Sequence, residues 1–323
     1  MAFHRGTNLV TRCRRVSSVL VGVVVLTAVC LYGQATSGRA KRTFTHDRDI
    51  ETSSVWNNFP LWGGEILAGY ENNFSNGPII YTIDRSGKRD ETLFTVQDAG
   101  RINIYSIAAS LDGEIAIVGS ALTNDNRGTT FLARIARDRQ RQIITRTWPY
   151  CPMVVTFAPD SSIWTVGHMK DDENTRDLER NVLRRFDRAG KMLGSTTIQV
   201  SGSKTAETSY LRASRDRVGW LARGGEYIEF SLDGSEIGRY ERPAGAAERD
   251  ITGLAISDDN DVVAGWFGGG KAEFVVLDRE TRSWTAVVLP KEHAPKWARV
   301  LGFDGSTLVT YSQNGRLTRF KTK

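Results

Sequence analysis

One pattern recurs five times along this chain and limits what it can fold into. A strand-like run leads into a tight turn holding an aspartate, and a second strand-like run leads out. The pattern occupies residues 106–119, 154–167, 210–222, 251–265 and 299–311. Its turns read Leu111-Asp112-Gly113, Pro159-Asp160-Ser161, Arg215-Asp216-Arg217, Asp258-Asp259-Asn260 and Phe303-Asp304-Gly305. The turn aspartates stand 48, 56, 43 and 45 residues apart. A period of about 40–50 residues built wholly from strands is the mark of propeller blades, small sheets that bury their faces only against one another.

Period-2 alternation and β-branched or aromatic enrichment divide the rest of the chain into four-stranded units. Blade 1 covers residues 59–96. Blade 2 has strands at 102–110, 114–121, 129–136 and 140–148, and blade 3 at 153–158, 162–169, 182–187 and 191–200. Blades 4 and 5 cover 210–242 and 251–289. Blade 6 offers three strands, 297–303, 306–312 and 316–321. The fold expected is therefore all-β: a six-bladed β-propeller over residues 59–323. A polar lead at 41–58 precedes it, and residues 43–52 are positioned to supply the missing outer strand and remove an exposed sheet edge.

A second repeat marks the outer hairpins: Ile83-Asp84-Arg85-Ser86-Gly87, Phe186-Asp187-Arg188-Ala189-Gly190, Leu232-Asp233-Gly234 and Leu277-Asp278-Arg279-Glu280-Thr281. Aspartate closes such turns through its side chain, and glycine takes the positive φ they require. In strand rhythm and in these hairpins the chain resembles six-bladed propellers of the NHL, TolB and gluconolactonase-like group. For gluconolactonase-like members the resemblance implies a divalent metal held in the central channel by acidic and amide residues. No acid at the start of blade 1 matches that pattern, so neither a metal nor lactonase activity is carried over, and no cofactor is expected.

The formal net charge of +6 comes from the first forty residues, which hold Arg5, Arg12, Arg14, Arg15 and Arg39 and no acid. The remainder carries 38 basic and 37 acidic residues. Such balance argues against nucleic acid as a partner, which calls for a basic excess in the folded domain. Four of those arginines precede an apolar run from Val16 to Tyr32, followed by Gly33-Gln34-Ala35. Residues 1–40 thus read as a signal peptide cleaved after Ala35 or as an uncleaved signal anchor helix, since 17 residues just suffice to span a bilayer. Either way the arginines stay in the cytoplasm, and the propeller is expected outside it, secreted, periplasmic or membrane-anchored. Thr27-Ala28-Val29 before Cys30 is a poor lipidation box. Cys151, alone beyond this segment, cannot form an internal disulfide.

Chemical motifs are absent. Residues 265–272, Gly-Trp-Phe-Gly-Gly-Gly-Lys-Ala, approach a phosphate loop but end in Ala272 where a magnesium ligand is needed, and a strand follows instead of a helix. Asn124-Asp125-Asn126 and Asp258-Asp259-Asn260-Asp261 lack the glutamate of a calcium loop. No His-Glu-x-x-His, paired cysteine or Gly-x-Ser-x-Gly occurs.

Recognition is expected on the face whose loops are long, the B–C and D–A connections, since loops on a rigid scaffold carry binding. There strand B ends in Gly69-Tyr70, Gly119-Ser120, Gly167-His168 and Gly265-Trp266, with Arg223 and Tyr311 in the corresponding places. Tyr70, Ser120, His168, Arg223, Trp266 and Tyr311 form the expected ligand ring, of a kind that suits a protein, peptide or carbohydrate. Trp164 and Trp220 fall at inner positions and are expected to pack. Two functions fit: an extracytoplasmic binding propeller without catalysis, or a hydrolase or lyase using His168 at the channel mouth.

Overall fold

The computed structural model describes residues 43–51, 62–63, 66–72, 77–84, 86–125, 127–170, 176–200, 209–243, 250–290, 297–312 and 315–322. The segment read as a signal or anchor lies outside the described residues. Every described element is a strand. Four sheets are simple antiparallel meanders. They comprise β2 (Trp62–Gly63), β3 (Ile66–Glu71), β4 (Ile79–Ile83) and β5 (Arg89–Leu93); β6 (Ala99–Ala109), β7 (Ile115–Thr123), β8 (Gly128–Ile135) and β9 (Gln142–Arg146); β10 (Tyr150–Phe157), β11 (Ile163–Lys170), β12 (Arg176–Phe186) and β13 (Met192–Ile198); and β14 (Tyr210–Ala213), β15 (Arg217–Leu221), β16 (Tyr227–Ser231) and β17 (Glu236–Tyr240).

The fifth sheet has eight strands. Its first half is β1 (Phe44–Glu51), β24 (Arg316–Thr322), β23 (Thr307–Ser312) and β22 (Ala298–Asp304). Its second half is β18 (Asp250–Ile256), β19 (Val262–Gly268), β20 (Lys271–Asp278) and β21 (Ser283–Ala286). A single parallel pair, Gly253 with Val300, joins the halves. The N-terminal strand β1 runs antiparallel to β24, from Phe44 opposite Thr322 to Glu51 opposite Arg316. The arrangement is propeller-like.

The apolar face of each meander is covered by its neighbour. Ile80 and Phe94 meet Ile107, Ile117 and Phe131. Ala116 and Leu132 meet Val155 and Ile163. Trp164 and Val166 meet Leu211, Val218 and Trp220, so both tryptophans pack as expected. Tyr227 and Tyr240 meet Leu254, Val262 and Trp266. Val263 and Phe274 meet Val300, Phe320 and Phe44. Finally Leu301, Val309 and Leu317 meet Tyr81 and Ile83, which returns the series to its first sheet. Each fully buried Leu, Ile or Phe contributes roughly 1.5–3 kcal/mol.

Turn chemistry works as the composition demands. Asp84 Oδ1 accepts from Ser86 N at 2.7 Å and Lys88 N at 3.0 Å. Asp187 accepts from Ala189 N at 2.8 Å and Lys191 N at 2.9 Å. Gly87 and Gly190 take φ of 89° and 81°. The arginine after the turn aspartate has a separate task. Arg188 donates to Asp112 at 3.0 Å and to Ser161 at 2.8 Å. Arg279 pairs with Glu229, which also accepts from Arg217 at 3.1 Å and from the Tyr227 hydroxyl at 3.1 Å. Arg188 and Arg279 thus reach back to the preceding sheet.

Two boundaries differ from expectation. β6 begins at Ala99, because a bulge between Ala99 and Arg101 lets the strand continue its pairing along β7 to Thr123. Within residues 169–180, expected to be a loop, β11 runs to Lys170 and β12 starts at Arg176, and the two residues pair.

Candidate functional site

The six residues expected to form a ligand ring have different environments. Tyr70, His168 and Trp266 are each 2% exposed and Tyr311 is 5% exposed. Tyr70, Trp266 and Tyr311 belong to apolar clusters that join neighbouring sheets. Tyr70 donates to the Tyr105 carbonyl at 2.8 Å. Its hydroxyl is pushed well above the ordinary phenol range by burial. Tyr105 in turn donates to Ser120 Oγ at 2.8 Å, so Tyr70 and Ser120 meet through one residue. Trp266 lies over Gly225. Tyr311 sits opposite Arg299, whose guanidinium is driven downward by burial and stacks over Trp297 at 5.1 Å. Ser120 is half-buried and Arg223 exposed. His168 stands in register between Cys151 on β10 and Asn181 on β12, and all three are buried.

The glycines preceding these residues have a packing cause. Gly69, Gly119 and Gly265 lie directly opposite Tyr81, Phe131 and Phe274 on the next strand. A Cβ on Gly69 would collide with the Tyr81 ring, and one on Gly119 with the Asn103 carbonyl. At Gly167 it would meet the Cys151 carbonyl. The glycine of the Gly-plus-side-chain signature therefore records close approach of the inner strand or of a neighbouring ring.

The opposite face, where the A–B turns gather, holds a cavity of about 410 Å³. Five turns line it, contributed by β6–β7, β10–β11, β14–β15, β18–β19 and β22–β23. Its polar wall includes Ser110, Thr156 and Ser214, and its apolar wall Phe157, Ile256 and Phe303. Four of these turns are closed by a backbone hydrogen bond. Ser110 N, Ala158 N, Ser214 N and Ser257 N donate at 2.9 Å to the residue beyond the turn. Two positions before those donors stand Ala108, Thr156, Arg212 and Ala255. Of these, Thr156 and Arg212 line the cavity, while Ala108 and Ala255 pack in the clusters between sheets.

Arg212 lines the cavity and is 9% exposed. Its Nη1 donates to the Leu211 carbonyl at 2.8 Å, and Nε has no hydrogen-bond partner among the described residues. The guanidinium lies 5.8 Å from the Tyr210 ring centroid. Burial pushes its pKa down to about 9. Arg319, also buried, meets Asp304, and the half-buried Arg134 and Arg217 meet Glu114 and Glu229, whereas the half-buried Arg184 stacks over the Tyr150 ring at 4.3 Å. At the rim, Asp112 is held by Arg188, while Arg215 and Asp258 are exposed. Sequence reasoning passed over Arg212. The available signal was an arginine standing in a series of Ala, Thr and Ala once the turns are aligned. Among the described residues no group of three or more His, Cys, Asp or Glu could hold a metal.

No family model matches the chain, and no curated protein matches it. Solved structures similar to it include a catalytically inactive virginiamycin B lyase from Staphylococcus aureus with quinupristin. The identity is 12%, with 85% of this chain and 99% of that chain covered at a TM-score of 0.45. A protein of unknown function from Bacteroides caccae is 12% identical, with 81% and 94% covered and a TM-score of 0.43. A protein from Lactobacillus plantarum is 15% identical, with 76% and 75% covered and a TM-score of 0.49. The assignment of the fold rests on the strand pairing.

Proposed function

We propose that the chain is a six-bladed, extracytoplasmic binding propeller that takes its ligand in the axial cavity ringed by the A–B turns. The eight-stranded sheet counts as two blades touching at Gly253 and Val300, and β1 closes the ring. The observation that carries the ligand reading is the cavity itself, concave, mixed in polarity and built from five turns on a rigid frame. Catalysis through His168 is the weaker reading, because that imidazole is 2% exposed and does not line the cavity. Ser120 and Arg223 keep exposed surface on the long-loop face and serve there as contacts for a protein, peptide or carbohydrate partner.

A fragment screen by thermal shift tests the cavity. Compounds stabilising the wild-type protein should lose that effect in Ala213→Trp, which fills the cavity from a half-buried lining position. Equal stabilisation of the two proteins rejects the site. Export is read from the arginines and the apolar run from Val16 to Tyr32. N-terminal sequencing of the exported protein should give a start at Thr36, or an intact membrane-bound chain if the run is an anchor. Retention of the whole chain in the cytoplasm rejects export.

A further inference from the structure

We infer that the axial cavity is an anion site, in which Arg212 receives the carboxylate or phosphate group of a small ligand whose apolar part rests on Phe157 and Phe303. This rests on the cavity reading given above and adds the ligand's chemistry to it.

Three observations converge. First, a guanidinium carries five donors in a planar fork shaped for a carboxylate or phosphate. In Arg212 one donor reaches its neighbour's carbonyl, and among the described residues Nε has no hydrogen-bond partner and no carboxylate pairs with the group. Burying a charge without a counter-charge is costly, and the fold supplies one to the equally buried Arg319 in Asp304, as it does to the half-buried Arg134 and Arg217 in Glu114 and Glu229. An incoming anion supplies at Arg212 what those carboxylates supply elsewhere. Second, the group borders an open volume of about 410 Å³, sufficient for a ligand of metabolite size. Third, Ser110 and Thr156 add hydroxyls to the same wall, while the Ser214 hydroxyl donates to Asn260 Oδ1 at 2.6 Å. The downward pull of burial on Arg212, to about 9, has the direction expected of a cation awaiting a partner. Selectivity among anions falls to the rim, where Asp112 and Asp258 oppose a second negative charge near the mouth and Arg215 favours one.

The test uses the full chain with sodium phosphate and, separately, sodium citrate as probes, against sodium chloride at matched ionic strength. Calorimetric titration of the wild-type protein should show saturable binding of at least one of the two. Arg212→Gln should weaken it about tenfold or more, since a charge-assisted bond is lost. Arg212→Lys should retain part of it, and Arg146→Gln, at an exposed position on the outer strand β9 away from the cavity, should change it little. Should Arg212→Gln fail to fold, wild-type protein suffices. Phosphate or citrate should then protect Arg212 from phenylglyoxal in peptide mass spectra, more than it protects Arg215. Absence of saturable binding, equal affinity in Arg212→Gln, or protection confined to other arginines overturns the anion assignment. Neutral fragments that stabilise wild-type protein but not Ala213→Trp, with no response to anions, leave the cavity standing and remove only the anion. Failure of both arms removes both.

Discussion

Glu229 is a carboxylate with 1% of its side chain exposed, held between Arg217 and Arg279 and the Tyr227 hydroxyl. Replacing it with Gln leaves two guanidiniums facing an uncharged amide in the interior. Removing one partner of a buried pair typically costs about 3–5 kcal/mol, and urea unfolding of Glu229→Gln should lose that order of stability. The loss should exceed that of Arg188→Ala, whose pair with Asp112 is 49% and 69% exposed and so falls within about 1 kcal/mol. Legibility varies residue by residue. The glycines of strand B are plain in the sequence, but their cause, a ring or a carbonyl lying where a Cβ would go, comes from strands about a dozen residues away. Tyr70, His168, Trp266 and Tyr311 look like recognition residues by type, yet type alone says nothing of the neighbouring sheet that covers them. Arg212 is conspicuous only after the turns are aligned, and its significance depends on its having no carboxylate partner among the described residues.

Among the elements, the hairpins were the most legible and the ring-facing contacts the least. Asp followed by Gly specifies a turn locally, and Asp84 and Asp187 behave accordingly. The carboxyl of Asp84 is held below its ordinary range chiefly by the Ser86 hydroxyl. That Arg188 and Arg279 then clamp the sheet before them is a long-range fact, with partners 76 and 50 residues away in sequence. Strand β1 shows the same division. Its alternation marks a strand, and its place beside β24 depends on register that only the assembled sheet supplies. Phe44 is 1% exposed within the cluster of Phe320, Val300 and Val263. Phe44→Ala should cost about 3–5 kcal/mol in equilibrium unfolding, and a value below 1 kcal/mol shows that β1 contributes little to the fold.

At the scale of the molecule, burial of hydroxyls sets an alkaline limit. Tyr70, Tyr81, Tyr150 and Tyr227 all have phenols pushed above the model-compound value of 10.0 by desolvation. Above that pH the unfolded chain loses these protons while the folded chain keeps them. The unfolded state then binds fewer protons, and stability falls as pH rises further. Below it the full contribution is present. Phenolate absorbance from these four should appear together with loss of the far-ultraviolet β signal, rather than as separate earlier titrations. Gradual ionisation in an intact fold contradicts the packing described. The pairing of Phe44 with Thr322 has a topological consequence. Direct partners in an antiparallel pair have Cα atoms about 5 Å apart, so the backbone path comes back almost to where it set out. Residues 44 and 322 can be spliced by a few flexible residues, and the chain reopened at any exposed hairpin, such as Arg188-Ala189, without displacing a strand. Such permutants would thread the same loop from a different starting point.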